Sequence, residues 1–244
     1  MSARRFFVAG THAVEETVAV ADADAHKIRD VLRLRAGDEI DVIDSSGTVF
    51  RARLNRVDGR VDATLERPIE LPADTDALTI DVAQGIPKGQ KMDFVVEKLT
   101  ALGVSTIIPF TSERAVVRDP GDAKLERWRR LAQTAAQQSG RRTIPAVADP
   151  LAFDDVLERY GRYDVVLFPW EVAAGGPALR ETLPSLVTGA RRVLVVVGPE
   201  GGFSHVEAER ARDAGAQVIS LGGRILRTET AALVVVTILQ YLSS

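Results

Sequence analysis

Two predicted strands, each ending in a glycine-containing loop, constrain this chain more than anything else in it. Residues 193–197 run into Gly198-Pro199-Glu200-Gly201-Gly202-Phe203, and residues 218–221 run into Gly222-Gly223-Arg224-Ile225-Leu226-Arg227-Thr228-Glu229-Thr230. A helix is predicted between them. Ser204 is placed to cap its free amides, Glu207 three residues on completes a capping box, and Gly215 ends it. Glu207 is therefore expected to be structural, and His205 to be an exposed first-turn residue. Unbroken apolar strands belong to a parallel sheet covered on both faces. In such sheets ligands sit beyond the carboxyl ends of the strands, so two loops after consecutive, adjacent strands are expected to wall one pocket.

Upstream, the same alternation continues back to residue 78. Strands are predicted at residues 78–83, 104–110 and 163–168, and helices at 91–102, 124–138 and 154–159, with a loop and helix at 177–186. The last segment, 230–242, is ambiguous. Val234, Val235 and Val236 favour a strand, whereas its length and the flanking alanines favour a helix, which is the reading adopted. Apolar nearly all round, it is expected to be buried on one side by the sheet and on the other by a second subunit.

Before residue 68 the pattern is different. A short strand (4–8) and a helix (23–34, with Ile28, Val31 and Leu32 inward) precede period-two strands at 39–43, 49–55 and 61–66. Asp58-Gly59 is a hairpin signal. This is a small β domain, with Arg51, Arg53 and His26-Lys27 as either a basic face or ordinary strand exteriors. Residues 67–76, with Pro68 and Pro72, read as a linker. Two domains are thus expected, 1–70 and 71–244.

Composition narrows the chemistry. The chain has no cysteine and three histidines, at 12, 26 and 205, without ligand spacing, so no metal site is expected. No apolar run approaches the ~20 residues of a membrane span, and no signal peptide is evident. A cytoplasmic protein without membrane contact is the expectation. Net charge is −3, but residues 88–142 carry 11 basic and six acidic side chains, either a phosphate-binding face or a solvated helix surface. The loops match neither the dinucleotide Gly-x-Gly-x-x-Gly spacing nor a phosphate-binding loop ending in Gly-Lys-Ser/Thr. Arg227 and Glu229 in the second loop either pair with each other or hold a substrate.

The two loop motifs closely resemble those of the bacterial small-subunit (16S) ribosomal RNA uridine-N3 methyltransferases, of the SPOUT (trefoil-knot) superfamily. Lys88, Lys91-Met92 and residues 97–104 resemble the family's segment ending in Glu-Leu-Gly-Val, with Ala101 where the family has Glu. Ser112-Glu113-Arg114, Gln138-Ser139-Gly140-Arg141 with Pro145, Arg5-Phe6, His26 and Val31-Leu32-Arg33 extend the match over essentially the whole chain.

The resemblance implies an α/β fold: a C-terminal SPOUT-type parallel-sheet domain with a trefoil knot, plus a small N-terminal PUA-like β-barrel for RNA docking. It implies S-adenosylmethionine as methyl donor, 16S rRNA or the small ribosomal subunit as partner, and a homodimer through the C-terminal helix. It places the donor between the two loops, on Val197, Gly198, Pro199, Glu200, Gly201, Gly202, Leu221, Gly222, Ile225, Leu226, Arg227 and Thr228. Arg227 is the candidate for stabilising charge on the uracil oxygens, and Glu229 or Glu200 the candidate proton acceptor; the alternative is that Glu229 only orients Arg227. RNA backbone contacts are expected from Arg5, Arg33, Arg35, Lys88, Lys91, Arg114, Arg141 and Arg142. The rival readings are an RNA-binding protein of this fold without methyltransferase activity, and a methyltransferase with another RNA target.

Overall fold

The computed structural model describes residues 4–70, 78–171 and 179–243. It divides the chain into two compact units, Met1–Thr75 with Ala136–Thr143, and Asp76–Ala135 with Ile144–Ser244. Residues 71–76 of the expected linker, and residues 177 and 178 of the expected loop, lie outside the described residues.

The first unit contains β1 (Arg5–Phe7), β2 (Thr17–Ala19), α1 (Asp22–His26), a π-helical turn (Lys27–Val31), β3 (Glu39–Ile43), β4 (Val49–Arg56) and β5 (Asp62–Pro68). The strands form one sheet in the order β1-β3-β4-β5-β2. The period of two is met in β4, where Ala52 and Leu54 are buried while Arg53 and Asn55 face out. Two register shifts between β4 and β5 curl the sheet. Among the described residues β1 and β2 do not pair, so the sheet is open.

One local expectation needs correcting and one open alternative is decided. The helix expected over 23–34 is one short α-turn followed by the π turn. The wider i→i+5 turn rotates the residues after it, so Val31 is 66% exposed and Leu34, not Val31, joins Ile28 in the core. The strand arginines do not make a basic face either. Arg51 pairs with Glu39 and Asp41, and Arg53 with Glu39 and Glu66, so that surface is charge-balanced.

Segment Ala136–Thr143 belongs to this unit although the sequence places it in the second domain. Ala136 packs with Phe7, Ile43 and Val49. The Gln137 amide donates to both oxygens of the buried Asp24, at 3.1 and 2.9 Å. Burial raises the Asp24 carboxyl above its ordinary range, partly offset by that amide.

The second unit contains β6 (Thr79–Gly85), α2 (Lys91–Ala101), β7 (Thr106–Thr111), α3 (Asp122–Ser139, to Ala135), β8 (Ala146–Val147), β9 (Leu151–Ala152), α4 (Phe153–Leu157), β10 (Val165–Pro169), α5 (Leu179–Val187), β11 (Arg192–Val197), α6 (His205–Asp213), β12 (Gln217–Ile219) and α7 (Thr228–Ser243). The strands run parallel in the order β12-β10-β11-β6-β7-β8, with β9 also on β7. Val193, Val195 and Val197 pack with α2, α3 and α7 on one face, and Leu194 and Val196 with α4 and α6 on the other. Burial on both faces is why β11 is apolar without alternation.

The ambiguous last segment is a helix. Burial of Val235, Val236 and Leu239 contributes about 1.5–3 kcal/mol each. That exceeds the ~0.7 kcal/mol at most that each valine costs in a helix. Its outer side is less apolar than expected, with Thr230, Thr237 and Tyr241 exposed.

The two loop-bearing strands are not neighbours. β10 lies between β11 and β12, so the loops stand either side of a third strand end. Consecutive strands in sequence need not be adjacent in a parallel sheet, because each crossover helix can carry the chain past one strand.

Candidate active site

At the carboxyl ends of β10, β11 and β12 lies a cleft of ≈ 550 Å³, lined by Val197 to Phe203 of the first loop, Ile225 to Thr228 of the second, and Lys91, Pro169, Glu171 and Ala231. A side compartment of ≈ 260 Å³ adjoins it, adding Trp170 and residues 220–224. All twelve residues expected to hold a cofactor line one or the other, Leu221 and Gly222 in the side compartment. The strand order reverses here, since the chain leaves β6 towards β7 but leaves β11 towards β12. Open α/β sheets hold ligands at such a reversal.

The first loop is fixed from several sides. Phe203, 2% exposed, stacks among Phe110, Phe153 and Phe168 with ring centroids 4.2–6.2 Å away. Gly202 N–H donates to Pro199 O at 2.9 Å, closing a turn that gives Gly202 a φ of +63°. That positive φ favours glycine, and a Cβ there would also lie 2.8 Å from Glu171 Oε1. Beneath the loop, a Cβ on Gly85 would stand 2.5 Å from Pro199 N, so the end of β6 supports the loop in direct backbone contact.

Glu200 is tied to α2 and the loop before it. Its carboxylate accepts from Lys91 Nζ at 2.7 Å and from Lys88 N–H at 3.1 Å. Burial alone would raise this carboxyl, but those hydrogen bonds and the lysine charge outweigh it and hold it below the usual range. Glu200 therefore stays ionised and is a weakened proton acceptor.

The capping box is present as expected: Ser204 Oγ accepts from Glu207 N–H and Glu207 Oε2 from Ser204 N–H. Glu207 has a further role. Its Oε1 accepts from Glu113 N–H at 2.7 Å, pinning the segment after β7. In that segment Arg114 Nη1 donates to Gly201 O at 3.3 Å. His205 is exposed, its ring edge-on to Trp170.

The second loop carries the exposed Arg227, whose carbonyl accepts the Thr230 and Ala231 N–H groups and so starts α7. Among the described residues neither Arg227 nor Glu229 makes an ion pair, so the two do not hold each other. Glu229 lines neither compartment, and its Oε2 is buried without a hydrogen-bond partner.

Sequence reasoning missed Glu171. It lines both compartments and has no hydrogen bond or ion pair among the described residues. Applying the strand-end rule to the residues directly after β10 would have found it.

The expected RNA-contacting cations differ in their freedom. Arg33, Arg35 and Lys88 are exposed. Lys91 is committed to Glu200, Arg114 to Gly201, and Arg5 donates through Nη1 to Gly140 O. Arg141 and Arg142 have partners of their own. Among the described residues no cluster of His, Asp and Glu could hold a metal, and no helix is long and apolar enough to cross a membrane.

Comparison with known proteins agrees with this geometry. Residues 74–240 match the RNA methyltransferase domain. The chain is 35% identical to the ribosomal RNA small subunit methyltransferase E of Synechocystis sp. over 95% of its length and 75% of the relative's. It is 32% identical to that of Bacillus subtilis, over 98% and 96%. The crystal structure of the Neisseria gonorrhoeae ribosomal RNA small subunit methyltransferase E, bound to S-adenosylmethionine, superposes with a TM-score of 0.86 at 31% identity, over 98% of both chains.

Proposed function

The chain belongs to the ribosomal RNA small subunit methyltransferase E family, and from that premise we propose that it methylates N3 of a uridine in 16S rRNA, with S-adenosylmethionine as donor. The observation that carries this reading is the cleft. It brings both glycine loops together in a volume suited to a small ligand, with walls of backbone and apolar side chains around a few polar groups. The donor's hydrophobic adenosine and zwitterionic methionine fit such a lining. Bound there, S-adenosylmethionine supplies an electrophilic methyl group on a sulfonium.

The protein's own tasks are set by uracil chemistry. N3 carries an imide proton, and its loss puts negative charge on the flanking carbonyl oxygens. Arg227, exposed at the cleft and free of an ion pair, is assigned to that charge. The proton must go to a carboxylate or to water. Glu200 is weakened for this by Lys91, and its stronger role is holding Lys88 and Lys91 beside the cleft. Glu229 stands behind the wall and is assigned to orienting the start of α7. Glu171 faces the cleft and is the carboxylate best placed to take the proton. The target base must be lifted from its surroundings to reach N3.

Finer features complete the proposal. The first unit is read as a PUA-like RNA-docking domain, its exposed Arg33 and Arg35 meeting phosphates. From β12 at the sheet edge the chain returns through the second loop to α7, which packs against α2, β11 and β6. That return past β10 and the first loop supports a trefoil knot. Exposed Tyr241 and Leu242 on α7 and Phe94 on the adjoining α2 support a homodimer through this surface. The expected compartment is the cytoplasm, where ribosomal RNA is assembled.

The test is methyl transfer from labelled S-adenosylmethionine to small-subunit RNA lacking the modification, followed by nucleoside mapping. N3-methyluridine at one position is expected. Donor binding without transfer would favour the non-catalytic RNA-binding reading, and another methylated nucleoside the alternative target. RNA binding should weaken steeply with salt, and Arg33→Glu with Arg35→Glu should weaken it further.

A further inference from the structure

We propose that Gln84 is a positioning residue for the reaction, setting the separation of the two loops through a hydrogen-bond relay that runs Gln84 to Thr228 to Gly198. Gln84 follows Val82 and Ala83 near the end of β6 and is 0% exposed. In the parallel register it lies beside Val197, the last residue before the first loop. Its Nε2 donates to Gly85 O at 2.9 Å and to Thr228 Oγ1 at 2.8 Å. The Thr228 hydroxyl, itself buried, donates to Gly198 O. Gly198 opens the first loop, and Thr228 is the residue of the second loop at which α7 begins.

The relay has one direction. Carbonyl oxygens only accept, so Gly198 O fixes the threonine hydroxyl as donor towards it. The hydroxyl lone pair is then left to accept, which needs an N–H from Gln84. Gly85 O requires the same orientation of the amide. Two carbonyls at opposite ends thus define every proton in between.

The arrangement costs something. With Nε2 engaged twice, Gln84 Oε1 is buried with no partner among the described residues. An apolar side chain of this volume would avoid that cost and pack equally well. What it could not do is hold Thr228 against Gly198. Both residues line the cleft, so a shift between them changes the cleft's width. This inference rests on reading the cleft as the donor site, but the relay itself is testable without a ligand.

The experiment compares Gln84→Met, Gln84→Glu, Thr228→Val and Thr228→Ser with wild type. Three readouts are taken: amide hydrogen exchange of the ligand-free protein, S-adenosylmethionine affinity by calorimetry across pH, and melting temperature. Gln84→Met and Thr228→Val should each speed exchange at residues 198–203 and at the start of α7, and weaken S-adenosylmethionine binding about tenfold. The double variant should be no worse than either single one, because both break the same relay. Thr228→Ser keeps the hydroxyl and should recover most of the exchange protection that Thr228→Val loses.

Gln84→Glu gives the sharpest signature. Protonated, it still donates to Thr228; ionised, it draws the hydroxyl away from Gly198. Its affinity for S-adenosylmethionine should fall as pH rises through that titration, where wild type shows no such step. A role in filling space alone would leave Gln84→Met like wild type and Gln84→Glu without the step, and either result overturns the proposal. Should Gln84→Met fail to fold, Thr228→Val and Gln84→Glu decide. If wild type binds no S-adenosylmethionine, the functional reading fails, while unchanged exchange in the ligand-free variants would overturn the relay separately.

Discussion

The two glycine loops look alike in sequence and differ in how they are held. The first is anchored by an aromatic cluster through Phe203, by Lys88 and Lys91 through Glu200, by β6 beneath Pro199 and by Thr228 through Gly198. In the second, among the described residues, 221–226 make a single hydrogen bond, from Gly222 N–H to Ser220 Oγ, and Ile225 is 86% exposed. One wall of the cleft is therefore built before any ligand arrives, whereas the other has polar groups and apolar surface still to satisfy. A preformed wall lowers the ordering cost of binding, and an open one admits the ligand.

The largest effect is expected where the preformed wall is tightest. Gly85→Val drives side-chain atoms into the Pro199 backbone, and S-adenosylmethionine binding should fall by about 100-fold or more, with a lowered melting temperature, since backbone cannot yield cheaply. A variant that still bound normally would show that the first loop is not rigidly seated. Arg227→Ala should lower kcat about 10²–10³-fold with donor affinity changed little and folding unchanged, the pattern of a group acting in the transition state. If kcat held and affinity fell instead, Arg227 would belong to the donor site rather than to the base.

Glu200→Gln removes the ion pair with Lys91 and is worth about 1 kcal/mol at most for a pair this exposed, so a few-fold loss of affinity is expected. The pH dependence has a defined sign. The Glu200 carboxyl is held below its ordinary value, so its contribution is present above that ordinary value, about 4.3. It is lost as pH falls through the lowered one, which calorimetry on the acid side should detect. The smallest change is expected from Ile225→Ser, about twofold weaker binding with no change in melting temperature, because its side chain is exposed until a ligand covers it. No change would mean that the second loop never closes on the donor.

These differences mark what the sequence can convey. The α/β alternation, the Ser204–Glu207 cap and the membership of both loops in one cleft were legible, because each rests on local pattern or on the strand-end rule. The place of β10 between β11 and β12 was not, since strand order depends on which way each crossover turns. Glu171 was hidden with it. Gln84 reads as an ordinary strand residue, and its partner lies 144 positions away. Val31 misled because the π turn is a backbone choice that helical periodicity does not encode. Arg51 and Arg53 looked basic until the facing strands brought Glu39 and Glu66 opposite them.

The contrast between the loops can be measured in one experiment: amide hydrogen exchange with and without S-adenosylmethionine. The donor should slow exchange strongly at residues 220–227 and only slightly at 198–203, which are already held. Equal protection of both loops would contradict the preformed wall, and no protection at either would contradict a methyl-donor site in this cleft.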